Sequence, residues 1–336
     1  MEVIRGWGHK AFPIGDASRV GEVRRHVAQL AAAQGWTDTD AGRLTIVATE
    51  LATNLLRHAR EGQMWVALRA PFDEIEVIAV DRGPGIENVT EAMRDGASTR
   101  QDSAGTGLGA LARLADDFDL LSSPAGTIGV ARVRPVGAAR TVLSRKLGAV
   151  CLAVPPEPVS GDAWALSEDG GQSTVIVADG LGHGVLAAEA AQAALGAFAE
   201  VPSEPLDRVL HRCHGALQGT RGAAVLAVRT LADALQSCGA GNVAARVFTG
   251  LGERSLMGQH GTVGLQIPTL LVSSQERPQH GALVMYTDGI TTRWQTKDYG
   301  GLLARDATLL AAAILWHNTR SRDDATVIVL QAEEAL

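Results

Sequence analysis

The sequence predicts a two-domain α/β (α+β) protein, on three observations. First, 336 residues are more than one typical core supports. Second, 46% of the residues are hydrophobic, charges of both signs are mixed through the chain, and no long segment is of low complexity, so both halves should be globular. Third, each half carries its own polar motifs beside predicted strands and helices. We expect an N-terminal domain over residues 10–136, a short connector over 137–147 and a C-terminal domain over 148–332.

The composition excludes several classes of protein. A net charge of -7 without a dense Lys/Arg run argues against nucleic acid or an anionic membrane surface as a partner. The first 16 residues lack the pattern of a targeting segment, and no apolar run is long enough to span a bilayer. The three cysteines, Cys151, Cys213 and Cys238, form no Cys-x-x-Cys pair and fit reduced, buried thiols. We therefore expect a cytoplasmic protein.

Two helices are predicted at the start of the N-terminal domain. Apolar residues at helical spacing indicate an amphipathic helix over residues 17–34. A capping signal at residues 37–40 precedes a second helix with its own apolar stripe. On that helix Glu50 and Asn54 are four residues apart and share a face, so their oxygens can converge on a metal ion or a water. Taken alone, the pair is more typical of a solvated polar face.

A predicted hairpin follows, over residues 64–81, and its second strand ends at Asp81. The carboxylate of Asp81 can accept a hydrogen bond from an exocyclic amine, and Gly83 and Gly85 let the backbone approach a ligand closely. An ordinary turn after a strand remains the alternative explanation.

A glycine-rich loop over residues 105–109 opens a further helix, so free backbone N–H groups there can face an anion such as phosphate. Two better known phosphate loops do not fit. A dinucleotide-binding fingerprint needs an apolar strand immediately before the glycines, and a Walker A loop needs Gly-Lys-Ser/Thr. Neither is present in this segment.

Three segments, Glu50 to Asn54, Asp81 to Gly85 and residues 105–109, follow one another along the chain. In this order they resemble the N, G1 and G2 boxes of the Bergerat-fold (GHKL) ATPases, above all the small serine kinases that act as anti-sigma factors or stressosome switch kinases. The resemblance implies a Bergerat-type α/β sandwich that binds ATP with Mg²⁺. It implies that Asn54 holds Mg²⁺, that Glu50 orients or deprotonates the attacking serine hydroxyl, and that Asp81 reads adenine. The phosphates would be cradled by Gly105, Thr106, Gly107, Leu108 and Gly109. A domain that only senses ATP or docks a partner needs the same ligands, so kinase activity and ATP sensing both stay open.

The C-terminal domain carries aspartates at the ends of predicted strands. Asp179 follows a near-continuous apolar run that marks a buried strand, and Asp288 ends another. Asp162 stands in a Gly-Asp step, and the pair Asp323 and Asp324 precedes a last apolar strand. Oxygen ligands suit Mg²⁺ or Mn²⁺, and two such ions can activate water for attack on a phosphoryl group. Each Asp-Gly step alone is more typical of a turn.

The four segments that carry these aspartates together resemble the metal-dependent (PPM) protein phosphatases, most closely their bacterial SpoIIE-type branch. The resemblance implies an α-β-β-α sandwich in which Asp179 bridges two Mn²⁺ or Mg²⁺ ions and the Gly180 carbonyl binds one. Asp288 and Asp323 would bind the other ion, and Asp162 would act through water. Asp323 matches the usual ligand position and Asp324 a supporting one, with the reverse assignment left open. The turn that ends at Asn242 resembles a Gly-x-Gly-Asn turn of this branch.

The resemblances imply a protein serine/threonine phosphatase fused to an ATP-binding, serine-kinase-like domain in a bacterial partner-switching or stress pathway. The expected partner is a phosphorylated regulatory protein with a STAS domain, and a dimeric state is left open. The alternative is an ATP-gated anti-sigma or scaffold factor whose kinase-like domain regulates without catalysing.

Overall fold

The computed structural model describes residues 2–93, 107–138, 143, 145–249 and 252–332. The chain divides into two compact units. One is His9–Thr141, and the other combines Met1–Gly8 with Val142–Leu336. Strand β1 (Glu2–Arg5) therefore precedes the first unit in sequence but belongs to the second.

The first unit is a five-stranded sheet with helices. Its elements are β2 (Lys10–Pro13), α1 (Ala17–Ala33), α2 (Asp38–His58), β3 (Gln63–Arg69), β4 (Glu74–Val80), α3 (Val89–Ala92), α4 (Gly107–Leu114), β5 (Asp117–Ser123) and β6 (Gly126–Val133), with a 3₁₀ turn at Ala70–Phe72. The strand order is β2-β3-β4-β6-β5, and all neighbours are antiparallel.

Local sequence explains where the first two helices begin. The Asp16 side chain accepts hydrogen bonds from the first-turn N–H groups of Ser18 and Arg19, and Thr37 caps α2 through the N–H of Asp40. The apolar stripes of α1 and α2 pack with one face of the sheet in a common core that includes Val27, Leu51 and Val77. The two predicted helices and the predicted hairpin of β3 and β4 are thus confirmed.

The second unit contains two sheets. After β1 its elements are β7 (Arg145–Leu152), β8 (Asp162–Asp169), β9 (Gln172–Gly180), α5 (Val185–Glu200), α6 (Leu206–Ala216), β10 (Ala223–Thr230), β11 (Ala234–Ala240), β12 (Ala244–Thr249), β13 (Gly252–Met257), β14 (Ser273–Glu276), β15 (Ala282–Tyr286), α7 (Ala307–Asn318) and β16 (Ala325–Ala332), with a 3₁₀ segment at Thr296–Leu302.

These two sheets form the inner layers of an α-β-β-α sandwich. One sheet has the order β1-β8-β9-β10-β11-β14 and the other β13-β12-β15-β16-β7. Helices α5 and α6 pack on the first sheet, and α7 packs on β7 and β16 of the second. The near-continuous apolar run before Asp179 is β9, which is buried from Ser173 to Ala178 as predicted. The two-domain α/β (α+β) fold class is confirmed.

Strand β1 was not foreseen from the sequence. It adds an antiparallel edge to β8, with Arg5 opposite Ala165, and the N–H of Gly6 donates to the carbonyl of Trp164 at 2.8 Å. Trp7 then meets Trp164 edge to face, with ring centroids 4.7 Å apart. A Cβ at Gly6 would lie 2.5 Å from the Trp164 ring, so the close approach requires glycine there.

No helix within the described part of the chain combines the length and apolarity that a bilayer crossing requires.

Candidate functional site

The segment after β4 forms a tight turn around Asp81. One carboxylate oxygen of Asp81 accepts the N–H of Gly83 at 2.5 Å, and the backbone N–H of Asp81 donates to the carbonyl of Thr127. Burial raises the pKa of Asp81, and hydrogen bonds to its carboxylate from the backbone of Gly83 and of Thr127 oppose that rise. The carboxylate is thus held in a fixed position at the end of a central strand.

Gly85 in this turn is required by packing against the β5–β6 hairpin. Gly85 has a φ of +76°, and a Cβ there would lie 2.1 Å from the carbonyl oxygen of Ser123. The next residue, Ile86, donates its N–H to the Ser122 hydroxyl at 2.7 Å. Ser122 and Thr127, which also contact each other at 3.0 Å, were not singled out in the sequence because hydroxyls on strands carry no motif.

Glu50 and Asn54 lie on the last half of α2, each partly buried. Neither side chain forms a hydrogen bond or ion pair with any described residue, so both are available to a ligand. Of the predicted phosphate loop, Gly105 and Thr106 lie outside the described residues, whereas Gly107 begins α4 and Leu108 and Gly109 follow in its first turn. The predicted helix after the loop is confirmed.

In the second unit, Asp162 and Asp179 face each other across adjacent strands. They are paired in the register of β8 and β9. One oxygen of Asp162 accepts the Thr287 hydroxyl at 2.8 Å, and the other, Oδ1, is buried without a hydrogen-bond partner among the described residues. Thr287 precedes Asp288 in the same sequence motif, but the sequence assigned it no role.

The electrostatics show that further carboxylates approach this pair. Burial raises the pKa of Asp179 strongly, and the charges of Asp162, Asp288, Asp323 and Asp324 raise it further. The pKa of Asp162 is also raised, first by burial, while the Thr287 hydrogen bond opposes the rise. Repulsion of this kind favours a bound cation, which lets all the carboxylates ionise together.

Asp288 lies two residues after β15 and is fixed by Asn242. The Asn242 amide donates to Asp288 Oδ2 at 2.6 Å. Burial and the charge of Asp323 raise the pKa of Asp288, whereas Arg320 and the Asn242 hydrogen bond lower it. The Gly-x-Gly-Asn turn therefore has a definite contact, which the sequence did not assign.

The neighbouring aspartates Asp323 and Asp324 have different surroundings. The two oxygens of Asp324 accept the N–H groups of Val154 and Gly161, both at 2.7 Å, and the side chain is buried. Asp323 is only partly buried, and its carboxylate accepts the N–H of Asp324 at 2.9 Å. Asp323 thus keeps an oxygen for a ligand, whereas the carboxylate of Asp324 is occupied by backbone.

Two glycines allow the strand ends to approach. A Cβ at Gly180 would lie 2.1 Å from the carbonyl oxygen of Ala187 at the start of α5, and one at Gly289 would lie 1.9 Å from that of Asp324. The Gly180 N–H donates to the Gly161 carbonyl at 3.1 Å. The glycines beside Asp179 and Asp288 therefore have a packing role in addition to any contact with a ligand.

The chemistry of the aspartate side chains in the second unit indicates which metal ion they could bind. Within the described ranges, no group of three or more His, Cys, Asp or Glu side chains is positioned to hold a metal ion. The residues nevertheless fit a hard divalent cation, because their donors are all oxygens, because Asp162 has an unpartnered buried oxygen, and because the carboxylates repel one another.

In the loop after Asp179, His183 contacts Glu157 from the segment before β8, and the sequence did not predict this pair. His183 Nδ1 lies 2.7 Å from Glu157 Oε1 on the surface. A Cβ at Gly184, whose φ is +74°, would lie 2.5 Å from Glu157 Oε2. The contact identifies Glu157 as the residue that orients His183.

Comparison with known proteins agrees with both units. Residues 15–132 match the family described as the histidine kinase-like ATPase domain. The serine/threonine-protein kinase RsbT of Bacillus subtilis (strain 168) is 37% identical over 90 residues, which are 26% of this chain and 67% of RsbT.

Two solved structures share a fold with 56–57% of this chain. One comes from work on the bacterial stressosome as "a modular system that has been adapted to control secondary messenger signaling"; it is 27% identical, with a TM-score of 0.52 over 56% of this chain and 100% of that chain. The other is RsbX in complex with magnesium, which is 19% identical, with a TM-score of 0.51 over 57% of this chain and 97% of that chain. The chain thus belongs, through its N-terminal segment, to the histidine kinase-like ATPase family, and it joins that ATPase domain to an α-β-β-α sandwich.

Proposed function

We propose that the second unit is a metal-dependent protein serine/threonine phosphatase and that the first unit binds ATP with Mg²⁺. The observation that carries the proposal is the pairing of Asp162 with Asp179 on adjacent strands, under the added charge of Asp288 and Asp323. A cluster of five carboxylates with fewer basic side chains to match it is costly unless cations neutralise it. Hydrolysis of a phosphate ester is the chemistry such a cluster serves.

Each aspartate has its own part in the proposed site. Asp179, the Gly180 carbonyl, Asp288 and Asp323 would hold the metal ions. Asp162 keeps one oxygen on Thr287 and directs the other inward. Mn²⁺ or Mg²⁺ bound there would neutralise the phosphoryl oxygens and lower the pKa of an attacking water. The magnesium complex of RsbX, a chain of the same fold, supports this choice of ion.

The proposed substrate is phosphoserine or phosphothreonine on a regulatory protein with a STAS domain. The likeness to RsbT, a serine/threonine-protein kinase, and to a chain from the bacterial stressosome supports a place in partner switching.

In the first unit Asn54 would hold Mg²⁺, Asp81 would bind the adenine base and Glu50 would act on a serine hydroxyl. Three buried free thiols fit the reducing cytoplasm.

Release of phosphate from p-nitrophenyl phosphate and from a phosphoserine peptide tests the proposal, with Mn²⁺, Mg²⁺ or a chelator. We expect metal-dependent turnover that Asp179→Asn abolishes. The matched control is Asp169→Asn, which changes an exposed aspartate at the other end of β8 and should leave turnover unchanged. A folded, ATP-binding wild type without turnover on either substrate would favour an ATP-gated binding factor instead.

A second measurement addresses the link between the two activities. The phosphatase rate is compared with and without ATP in wild type and in Asn54→Ala. If ATP regulates the phosphatase, its effect should disappear in the variant. Equal rates in all four conditions would mean that the two sites work independently.

A further inference from the structure

A substrate phosphate carries two negative charges, and the aspartates at the proposed site add more. A cationic side chain is therefore expected beside the metal-binding carboxylates. The segment from Gly148 to Asp162, which leads into β8, contains neither Arg nor Lys. The phosphate-binding cation must come from elsewhere in this unit.

Arg221 stands next to the loop that carries Asp179. The register of β9 and β10 places Ala224 opposite Asp179 and Ala223 opposite Gly180. One step further, the N–H of Leu181 donates to the carbonyl of Gly222 at 3.0 Å. Arg221 is therefore fixed beside the residues that immediately follow Gly180.

The side chain of Arg221 lies against Gly182. Its Nη1 atom is 3.1 Å from the position that a Cβ on Gly182 would occupy, and Gly182 has a φ of +85°. The carbonyl oxygen of Gly182 in turn lies 3.4 Å from the Cβ position of Gly161, the residue before Asp162. The guanidinium is thus next to a loop that contacts the strand ends bearing both Asp162 and Asp179.

Arg221 also differs from Arg229 and Arg246 of the same unit, because its guanidinium is available. Arg229 donates to Thr174 and to the carbonyls of Pro202 and Glu204, and Arg246 donates to the carbonyls of Thr292 and Trp294. Arg221 is exposed and forms no hydrogen bond or ion pair with the described residues. A free guanidinium presents a planar fork of donors that matches two oxygens of a phosphoryl group.

We propose that Arg221 binds the phosphoryl group of the substrate. The inference rests on the proposed phosphatase function and names the residue that recognises the substrate's charge. The metal-binding aspartates would hold the cations, and Arg221 would bind phosphoryl oxygens from the side of the Gly182 loop. Its role is binding, so it should affect substrate affinity and product inhibition more than metal affinity.

The experiment compares Arg221→Ala, Arg221→Lys and the control Arg212→Ala, which removes an exposed arginine from α6. For the phosphoserine peptide with Mn²⁺, we expect Arg221→Ala to raise KM roughly 10- to 100-fold, as expected for the loss of a charged hydrogen bond. The inhibition constant of inorganic phosphate should rise similarly. Arg221→Lys should recover part of the loss, and Arg212→Ala should match wild type.

Mn²⁺ affinity, measured by calorimetry, should be the same in wild type and Arg221→Ala. An unchanged KM and unchanged phosphate inhibition in Arg221→Ala, with an active wild type, would overturn the inference alone. A loss of Mn²⁺ affinity would overturn it too, because Arg221 would then support the site rather than bind phosphate. If wild type has no turnover, the proposed function fails. Calorimetry with inorganic phosphate on Mn²⁺-loaded wild type and Arg221→Ala then still decides whether Arg221 binds the anion.

Discussion

Asp324 accepts the backbone N–H of Gly161 at 2.7 Å, and Gly161 immediately precedes Asp162. Through its other oxygen, Asp324 accepts the N–H of Val154 at the same distance. This carboxylate therefore joins the start of β16 to the segment that leads into β8. It stabilises the backbone around Asp162, and Asp323 is left as the member of the pair that can meet a ligand.

The difference between the two aspartates predicts different effects of substitution. Asp324→Ala leaves two N–H groups without their acceptor, so the second unit should lose about 2–6 kcal/mol of unfolding free energy at about 1–3 kcal/mol per group. Asp323→Asn should lower Mn²⁺ affinity and turnover while changing metal-free stability by less than about 1 kcal/mol. Urea unfolding in chelator and metal titration by calorimetry measure both. The reverse pattern would make Asp324 the ligand.

The stability of the metal-free second unit should fall as pH rises. The folded-state pKa values of Asp162 and Asp179 are raised, mainly by burial and then by neighbouring carboxylates. In the unfolded chain both ionise near pH 4. A raised folded pKa means that stability is fully present below about pH 4 and is lost progressively as pH rises towards the folded pKa values.

Thermal unfolding in chelator from pH 5 to pH 8 measures this dependence, with a parallel series in Mn²⁺. The slope should be reduced by saturating Mn²⁺ and by the double substitution of Asp162 and Asp179 to Asn. A slope that is the same in wild type and the double variant would show that other groups cause it.

The sequence predicted which helices and strands carry several of the candidate residues. The apolar run of β9 predicts that Asp179 lies at the end of a buried strand, and the apolar stripe on α2 predicts that Glu50 and Asn54 share one face of that helix. It could not predict the long-range contacts that fix the sites. The Asn242 contact to Asp288 joins residues 46 positions apart, and the edge strand β1 pairs with β8 although the first unit separates them in sequence. Such pairing depends on tertiary packing, which leaves no local periodicity.

Nucleotide binding by the first unit should depend on the carboxylate of Asp81. Asp81→Asn keeps the shape but changes an acceptor into a mixed donor and acceptor, so ATP affinity should fall by about 10-fold or more. The control Asp73→Asn lies in an exposed left-handed turn, which asparagine tolerates. Calorimetry with ATP and Mg²⁺ on the full chain gives the affinities. Equal affinities in both variants would remove Asp81 from the site.

The three thiols should be unreactive in the native protein. Burial raises the pKa of Cys151 to about 12, of Cys213 to about 12 and of Cys238 to about 11, so the thiolate that reacts with alkylating reagents is scarce at pH 8. Mass spectrometry after brief iodoacetamide treatment should show no adducts in buffer and three in denaturant. Rapid alkylation of any one thiol in the native protein would contradict its buried placement.

The first unit contains a buried carboxylate whose charge is matched by arginines. Glu76 accepts Arg132 Nε at 2.7 Å, contacts Arg69 at 3.4 Å and lies 3.1 Å from His9 Nε2. Burial acts to raise the pKa of Glu76, but the charges of Arg132 and Arg69 and the His9 hydrogen bond outweigh it and hold that pKa below its usual range. Its stabilising effect is therefore present above about pH 4.5 and is lost as pH falls below that value.

Glu76→Gln should destabilise the first unit by about 3–5 kcal/mol at pH 7, because it leaves two buried guanidinium groups with less than their matching charge. The control Glu22→Gln removes the partner of Arg19 on the surface of α1 and should cost less than about 1 kcal/mol. Hydrogen exchange of the β4 amides reports the change locally, at pH 7 and at pH 4. If the difference between wild type and Glu76→Gln does not shrink at the lower pH, the ionised form of Glu76 is not what stabilises this sheet.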